Sequence, residues 1–374
     1  MMGTERSSER VRIAFSPDIF SWQEYGGISR YFTELIPRVA SMDGFEVSVH
    51  MGLSPNRYGL QEMRNQFASF QYVRFPFNRG IRHVALLNES WFQSYISMRS
   101  GRIDAVHMTY YPMRMPTTHA LLTTTVHDMI PERFPDLFSR SPLSAQKRAC
   151  VERCSRIIVN SESTKRDLIE FFNVDPRCVD VTLHANSLHA EPGGDPVGRP
   201  YVLFVGGRWG YKNFTRFVRT WAEMRSIRDD FLLVCFGGGR FTESEQRIIS
   251  ALGLSHSITW MGGSDVLLVS LYAHAQALIY PSLYEGFGVP PLEAMHYGCP
   301  VMCSNSSSLP EVVGDAAVTV DTADPEALAN GMAAAIGDSV LRTRLALAGR
   351  AREASFTLDR TAAATVESYR RLLS

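Results

Sequence analysis

The chain has 374 residues, more than one ordinary hydrophobic core holds, so we expect two domains. Its 38 Lys and Arg residues balance 38 Asp and Glu residues, and this neutrality argues against a broad nucleic-acid-binding surface. We therefore expect no nucleic acid among its partners. The N-terminal stretch MMGTERSSERVR lacks the apolar run of a secretory signal, and no stretch of about 18 uncharged apolar residues predicts a membrane span.

The cysteines indicate a cytoplasmic protein. Six are scattered through the chain, and neither Cys-x3-Cys pair has a second pair beside it at the spacing of a zinc site. Reduced, mostly buried thiols are therefore the expected interpretation. There is also no Asp-x-Asp metal pair, so we expect neither a metal ion nor a cofactor.

In the first half of the chain, short runs rich in Val, Ile, Leu and Phe alternate with longer segments of helical period. Continuous apolar runs of this kind are typical of parallel strands that helices cover on both faces. The predicted strands are residues 11–15, 45–51, 104–110, 121–126, 156–161 and 179–183.

A second set of strands follows a linker. Residues 184–200, HANSLHAEPGGDPVGRP, contain three prolines and three glycines without periodicity. The alternation then restarts, with strands predicted at 201–207, 231–239, 257–262, 277–282, 299–304 and 316–320. Two such units predict an α/β protein of two Rossmann-like, doubly wound domains that face a central cleft.

Three helical segments close the sequence. In the last of them Leu358, Ala362, Val366 and Tyr369 fall on one face, which packs either on the second domain or back on the first. We predict that this helix packs back on the first domain. The expected units are an N-terminal domain of residues 1–185, a C-terminal domain of residues 186–355, and a returning helix of residues 356–374.

Ligands of open parallel sheets bind beyond the carboxyl ends of the strands, and four unusual segments directly follow predicted strands. The first is SWQEYGGISRYFTELI, in which Gly26 and Gly27 precede a helical pattern that Pro37 shortens or kinks. A Gly-Gly pair before a helix can cradle a phosphate. An ordinary tight turn is an equal alternative.

The second segment is TTTVHDMIPERFP, where His127 and Asp128 stand at the exit of a predicted strand. A neutral imidazole at this place can hydrogen-bond a sugar hydroxyl. The alternative is a satisfied structural histidine, with Asp128 capping the next turn. These residues alone leave both interpretations open.

The third segment is VGGRWGYKNF, a glycine-rich loop that includes Gly207 and leads to a helix from Asn213. Arg208 and Lys212 stand four apart in it. Two cations beside exposed amides suit a diphosphate, with arginine making a forked contact and lysine acting as a point charge. A solvated loop is the alternative.

The fourth segment is PSLYEGFGVPPLEAM, residues 281–295, in which Glu285 and Glu293 stand eight apart. Gly286 and Gly288 let the backbone approach a ligand, and the two prolines suit the first turn of a helix whose amides attract an anion. Glu293, in the first helical turn, can accept both hydroxyls of a ribose, and Glu285 can bind a second sugar. The spacing predicts that these carboxylates bracket one sugar nucleotide; a purely structural spacing is the alternative.

Together these segments resemble the retaining glycosyltransferases of family 4, which have two Rossmann-like domains in the GT-B fold. The family's E-x7-E signature is similar to PSLYEGFGVPPLEAMHYGCPV, its phosphate loop to YVLFVGGRWGYKNF, its His-Asp segment to TVHDMIPERFP, and its N-terminal loop to FSWQEYGGISRYFTEL. VNSESTKRDLIEFF and SSSLPEVVGDAAVTVD also match. The resemblance therefore covers nearly the whole chain, with the motifs in the family's order.

The resemblance implies a role for each candidate residue. The first domain would be the acceptor side, where His127 contacts the transferred sugar and Gly26 and Gly27 line the donor diphosphate or the acceptor. The second domain would bind the nucleotide sugar. There the implied contacts are Arg208, Lys212 and Gly207 to the diphosphate, Glu285, Gly286, Phe287 and Gly288 to the sugar, Glu293 to the ribose, and Gly262 near the base.

One departure concerns the phosphate loop, where the family commonly has Arg directly before the Lys and this chain has Tyr211. Arg208 would then supply the second charge from a shorter loop. The GGISRY and VHDMIPERFP segments are most similar to those of bacterial mannosyltransferases of surface-polysaccharide assembly. They imply a metal-independent hexosyltransferase that retains configuration, with GDP-mannose as donor and a glycan or lipid-linked oligosaccharide as acceptor, acting in O-antigen or other lipopolysaccharide biosynthesis.

Two other functions are alternatives. A GT-B nucleotide-sugar epimerase would release a free altered sugar. The other alternative is a non-catalytic partner that binds a sugar nucleotide within an assembly complex. The presence of Lys212, both glutamates and His127 argues against this alternative.

A lipid-linked acceptor would bring the protein to the inner membrane surface. Residues 70–99 mix aromatic residues with arginines and could form such a peripheral membrane contact. A strand followed by a half-buried helix is the favoured alternative for this segment.

Overall fold

The computed structural model describes residues 10–76 and 80–374, which divide into two compact units. The first unit runs to His184 and also includes Leu358–Ser374, whereas the second is Ala185–Thr357. Each unit contains one sheet, and the strand pairings given for both sheets are parallel. The predicted fold class of two Rossmann-like α/β domains is confirmed.

The first unit is built around a seven-stranded sheet. Its strands are β1 (Val11–Phe15), β2 (Phe45–Ser54), β3 (Ser69–Arg74), β4 (Ala105–Met108), β5 (Leu121–Val126), β6 (Arg156–Val159) and β7 (Val179–Val181). They lie in the order β3-β2-β1-β4-β5-β6-β7. Its helices before the second unit are α1 (Asp18–Trp22), α2 (Gly27–Ala40), α3 (Ile81–Met98), α4 (Ile130–Arg133), α5 (Leu143–Arg153) and α6 (Glu162–Phe172).

The second unit has a six-stranded sheet in the order β10-β9-β8-β11-β12-β13. These strands are β8 (Tyr201–Val205), β9 (Leu232–Phe236), β10 (Ile258–Met261), β11 (Leu278–Tyr280), β12 (Val301–Ser304) and β13 (Val318–Val320). The helices are α7 (Phe214–Glu223), α8 (Arg225–Arg228), α9 (Glu243–Ala251), α10 (Asp265–His274), α11 (Val289–His296), α12 (Leu309–Val313), α13 (Pro325–Gly337) and α14 (Ser339–Glu353). All residues of β8 and β11 are buried, as expected for central strands covered on both faces.

The last helix, α15 (Leu358–Leu373), packs on the first unit. Ala362, Val366 and Tyr369 are buried in the same hydrophobic cluster as Phe32 of α2. The Tyr369 hydroxyl also lies 2.6 Å from His107 Nδ1 in the buried sheet. The helix therefore adds both apolar surface and one buried hydrogen bond to the core of the first unit.

Every predicted run contains a strand, and several strands end before the predicted run does. The strand predicted at 156–161 ends at Val159 because Ser161 accepts the amide of Thr164 and begins α6. One strand, β3, is not among the predicted apolar runs, since it lies at the sheet edge with half-exposed side chains; it was predicted only as the strand of the favoured alternative for residues 70–99. Pro37 does not end α2, which continues to Ala40.

The segment 70–99 contains most of β3 and the helix α3, as the favoured alternative predicted. Its residues 77–79 lie outside the described part of the chain. In the described ranges, 10–76 and 80–374, no helix combines the length and the hydropathy that crossing a membrane requires. The membrane contact stays a prediction.

The buried contact between Tyr369 and His107 predicts a measurable stability effect. Tyr369→Phe should lower the free energy of unfolding by about 1–3 kcal/mol, because the imidazole nitrogen of His107 loses its partner in a dry core. Urea unfolding followed by circular dichroism measures this change. Tyr25→Phe is the matched control, since Tyr25 is 60% exposed. An equal effect of both substitutions would contradict the prediction.

Candidate functional site

The strand order places the second unit's candidate site. From β8 the chain builds the sheet outward through β9 and β10, and from β11 it builds in the other direction through β12 and β13. Ligands of such sheets bind at the carboxyl ends of the two strands between which the order reverses. The loops after β8 and β11 carry Lys212 and Glu285, so both residues belong to this switch point.

Lys212 and Glu285 form an ion pair at that switch point. Lys212 Nζ lies 2.6 Å from Glu285 Oε1 and 3.2 Å from the hydroxyl of Tyr280 at the end of β11. The two charged side chains are only 13% and 10% exposed. Burial and the neighbouring Glu285 carboxylate raise the pKa of Tyr280 well above its ordinary value, so its hydroxyl stays neutral. The structure thus joins residues predicted separately as a phosphate contact and a sugar contact.

Hydrogen bonds with two serines after β12 hold the loop that carries Glu285. The Ser307 hydroxyl accepts the Glu285 amide at 2.9 Å, and the Ser308 hydroxyl donates to the carbonyls of Glu285 (2.8 Å) and Phe287 (2.7 Å). The side chain of Phe287 is buried in a cluster with Phe356, so only its backbone remains for a ligand. The loop is therefore fixed before any ligand binds. Neither serine was among the predicted site residues, although both belong to the SSSLPEVVGD segment.

Gly288 links this loop to α11. Its φ of 117° is one that side-chain-bearing residues rarely adopt, and an added Cβ would lie 2.7 Å from a methyl carbon of Leu309. Gly288 is the N-cap, with a proline in the first turn, as predicted. Gly286 belongs to the same short loop between β11 and the helix.

Glu293 lies one turn further along α11 than predicted. The helix begins at Val289, so Glu293 is its fifth residue and not part of the first turn. The carboxylate is 7% exposed and accepts the hydroxyl of Tyr272 at 2.9 Å. Tyr272, from α10, therefore orients the carboxylate that we expect to bind ribose.

Arg208 holds a neighbouring loop. Its guanidinium is paired with Glu245 of α9 at 2.8 Å and donates to the carbonyls of Gly237 (2.9 Å) and Gly239 (2.8 Å). The side chain is 3% exposed. Burial by itself raises the pKa of the Glu245 carboxyl. The hydrogen bonds from Arg208 and Thr242 together have the larger effect, so the pKa is lowered. The structure thus places Arg208 in an internal network, apart from the Lys212–Glu285 contact, and its contact with a diphosphate stays a prediction.

Two predicted glycines flank this network. Gly207 is the second residue after β8 and lies next to the Trp209 ring. Gly262 follows β10, and an added Cβ would lie 2.5 Å from the ring of Trp260. The Trp260 Nε1–H donates to the Gly237 carbonyl at 3.0 Å. The need for glycine at 262 therefore comes from the packing of Trp260, and a nearby base stays a prediction.

In the first unit His127 lies at the exit of β5, as predicted. Its Nδ1 is 3.3 Å from Nε2 of His184, and the Asn160 side chain donates to its carbonyl at 2.7 Å. His127 Nε2 is buried and has no hydrogen-bond partner. Burial, and then the charges of His184, His107 and Lys147, lower the pKa of His127 well below its ordinary value. The result is a neutral imidazole with one unsatisfied nitrogen, which a ligand hydroxyl could pair.

Lys147 holds the segment after His127 and was missed at the sequence level. Its Nζ donates to the Asp128 carbonyl at 2.8 Å and to Glu132 Oε2 at 2.7 Å, and the residue is 1% exposed. Asp128 accepts the Ile130 amide at 2.9 Å, which is the capping role considered for it. The available signal was that Lys147 falls at helical spacing with buried Cys150 and Val151 in α5.

The Gly26-Gly27 segment starts α2, with Gly27 as the first helical residue. The Gly26 amide donates to the Tyr58 hydroxyl at 2.9 Å, and the Ser29 amide donates to the Gln23 side chain at 3.0 Å. Two amides at this N-terminus are therefore already bonded within the unit. A phosphate cradle here stays a prediction and would have to use the other amides.

The buried imidazoles predict loss of stability in acid. In the folded chain burial lowers the pKa of His107 and His184 to about 3, from the ordinary 6.5. The unfolded chain therefore binds more protons below pH 6.5, so the melting temperature should fall as pH drops from 6.5 towards 3. His184→Gln should make that fall shallower, and His119→Gln, at an exposed position, should not. Parallel curves for wild type and His184→Gln would contradict this.

Comparisons with known proteins assign the two units. Residues 25–185 match the family "Glycosyltransferase Family 4", and residues 188–352 match "Glycosyl transferases group 1". The O-antigen chain mannosyltransferase RfbU of Salmonella typhimurium is 30% identical over 240 residues, 63% of this chain and 65% of that protein. O-antigen chain mannosyltransferase B of Escherichia coli is 42% identical over 108 residues, 29% and 28% of the two chains. The matched parts span less than two thirds of either relative.

Among solved structures, the sucrose-phosphate synthase of Thermosynechococcus elongatus superposes with a TM-score of 0.76 at 20% identity, covering 97% of this chain and 99% of that one. The glycosyltransferase WaaG, described as involved in lipopolysaccharide biosynthesis, gives a TM-score of 0.69 at 18% identity, with 95% and 99% coverage. These structures show the fold. Because the two family matches together span most of the sequence and the fold agrees, the chain belongs to the family 4 glycosyltransferases of GT-B fold.

Proposed function

We propose that the chain transfers a hexose from a nucleotide diphosphate sugar to a glycan or lipid-linked oligosaccharide, with mannose from GDP-mannose as the first candidate. The observation that carries this proposal is the Lys212–Glu285 pair at the switch point of the second unit, 2.6 Å apart and largely buried. The names of the two mannosyltransferase relatives support mannose and O-antigen assembly. A cytoplasmic reaction at the inner membrane surface would suit a lipid-linked acceptor.

In the proposed reaction the bond between the hexose C1 and the diphosphate oxygen breaks. A bond from C1 to an acceptor hydroxyl oxygen forms on the same face, and the hydroxyl proton leaves on the nucleoside diphosphate. Negative charge therefore develops on the diphosphate in the transition state. The Lys212 ammonium would stabilise that charge together with the Val289 amide at the start of α11, without a metal ion.

Glu285 would bind the sugar and the Lys212 ammonium at the same time. One of its oxygens already accepts from Lys212, and the other would accept sugar hydroxyls. Glu293, held by Tyr272, would accept the ribose hydroxyls. In the first unit the unpaired Nε2 of His127 would hydrogen-bond the transferred sugar. Arg208 would keep the glycine loop of residues 237–239 in place beside the donor.

Lys212→Ala should lower turnover with the donor by about a hundredfold or more, because it removes the positive charge proposed to stabilise the departing diphosphate. Transfer of radiolabelled mannose from GDP-mannose to a mannoside acceptor measures it. Arg219→Ala removes an exposed cation from α7 and serves as the matched control. Near-wild-type turnover of Lys212→Ala, with the circular dichroism spectrum preserved, would refute its role.

Glu293→Gln should weaken nucleoside diphosphate binding more than it slows the reaction. Losing charge-assisted bonds to both ribose hydroxyls costs about 1.5–3 kcal/mol, so Kd should rise about tenfold or more. A thermal-shift panel of GDP-, UDP- and dTDP-mannose first identifies the base, since the preferred ligand stabilises the fold. Calorimetry with the matching diphosphate then gives Kd. Tyr272→Phe is the control that removes only the orienting hydroxyl, and unchanged affinity in Glu293→Gln would count against the ribose contact.

The two alternatives predict different products. A nucleotide-sugar epimerase would release a free altered sugar from the donor in the absence of any acceptor. A non-catalytic binding partner would bind the donor and form no product. Chromatography of the products from purified protein, with and without a mannoside acceptor, separates both from a transferase.

A further inference from the structure

A cavity of about 400 Å³ lies in the first unit, at the place that corresponds to the donor site of the second. In this sheet the strand order reverses between β1 and β4. Asp18 follows β1 after two residues, Met108 ends β4, and both line the cavity. The cavity thus lies at a topological switch point, and its volume is within the range of about 300–1,000 Å³ typical of small-molecule sites.

The walls of the cavity are fixed without a ligand. One wall is the loop 112–117, and the other is the middle of α3. Glu89 accepts the amides of Met113 (2.7 Å) and Arg114 (3.2 Å). Gln93 accepts the amide of Thr117 at 2.8 Å and donates to its carbonyl at 2.9 Å. Two side chains of one helix therefore hold the loop in place, which removes the cost of ordering it on binding.

Asp18 supplies a carboxyl to the cavity. It is 4% exposed and accepts the hydroxyl of Ser16. Burial, which outweighs the Ser16 hydrogen bond, and the nearby Glu89 carboxylate raise its pKa to about 7. Arg114, an exposed residue of the loop, also lines the cavity. At neutral pH Asp18 can therefore accept a hydrogen bond or donate one.

These surroundings select a neutral ligand rich in hydroxyls. Two carboxyl groups against one guanidinium disfavour a phosphate or another anion. The carboxyl of Asp18 and the hydroxyl of Thr117 match sugar hydroxyls, which both donate and accept. The apolar side chains of Met108 and Met115 offer surface for the C–H faces of a sugar ring.

We propose that this cavity binds a neutral sugar unit of the acceptor glycan, with Asp18 as the residue that recognises its hydroxyls. The inference rests on the proposed transferase function and names a subsite for the substrate that receives the hexose. His127 follows β5, the neighbour of β4, so the cavity and His127 lie at the same edge of one sheet.

The test uses two serines of α3 that differ in one respect. Ser90 lines the cavity and Ser94 does not, while both are exposed and donate to the carbonyl four residues earlier. Ser90→Trp should obstruct the cavity, and Ser94→Trp is its matched control. Asp18→Asn, which keeps the shape of the side chain, is the second variant. Circular dichroism and the melting temperature check that each protein is folded.

The first readout is binding of five methyl glycosides to the full-length protein, measured by saturation-transfer NMR. The glycosides are those of mannose, galactose, glucose, rhamnose and N-acetylglucosamine. Wild type and Ser94→Trp should bind at least one of them, and Ser90→Trp and Asp18→Asn should lose about tenfold or more in affinity. Binding of none of the five glycosides would overturn the proposal. Equal binding by Ser90→Trp and Ser94→Trp would overturn it too, as would binding of inorganic pyrophosphate that Ser90→Trp abolishes.

The second readout separates this proposal from the proposed function. Donor hydrolysis without acceptor and transfer to a methyl mannobioside are measured on the same proteins. The ratio of transfer to hydrolysis should fall at least about tenfold in Ser90→Trp, through a higher KM for the acceptor, and should not change in Ser94→Trp. If wild type consumes no donor, the transferase function fails, while the NMR result still decides the cavity. If wild type transfers and Ser90→Trp has an unchanged ratio, the subsite fails alone.

Discussion

The ion pair between Lys212 and Glu285 is the interaction on which the proposed function of the second unit depends. It joins the loops after β8 and β11, the two strands at which the sheet order reverses. A largely buried pair of charges contributes little to stability, since apolar residues of similar volume often do as well or better. Its position at the switch point is therefore a reason to interpret it as part of a ligand site.

Each unit places its chemistry according to the same rule of topology. In the second unit the switch point holds an opposite-charge pair on a loop that Ser307 and Ser308 fix from below. In the first unit the switch point holds a cavity with a buried carboxyl, and the next strand ends at a neutral histidine. One unit is thus suited to a charged ligand and the other to uncharged hydroxyls, which is the division that a transfer between a nucleotide sugar and a glycan requires.

Most strands could be predicted from the sequence because a strand covered on both faces must be apolar throughout. The edge strand β3 could be predicted only without its bounds, within residues 70–99, since half of its side chains face solvent. Lys212, Glu285 and Glu293 could be named from their spacing and turn residues. Their partners could not, because Glu285 lies 73 residues from Lys212 in the chain, and only the folded sheet brings them together.

Long-range partners also account for the other differences. Arg208 was predicted to contact the diphosphate, and its pairing with Glu245, 37 residues later, was not predicted. The contact between His127 and His184 spans 57 residues. A local pattern shows which residue types are present and which element they follow. It does not show which distant side chain completes their hydrogen bonds.

The position of α15 has a consequence for how the chain folds on the ribosome. Translation delivers the whole of Ala185–Thr357 before Leu358–Ser374, although those last residues belong to the first unit. Domains generally fold during synthesis from the N-terminus onward. Here the first unit cannot complete its core until the last residues are made. Until then, the surface that Ala362, Val366 and Tyr369 will cover stays exposed to solvent. The later-made unit is continuous and can reach its native state first, so the nascent first unit is the part that chaperones would have to protect.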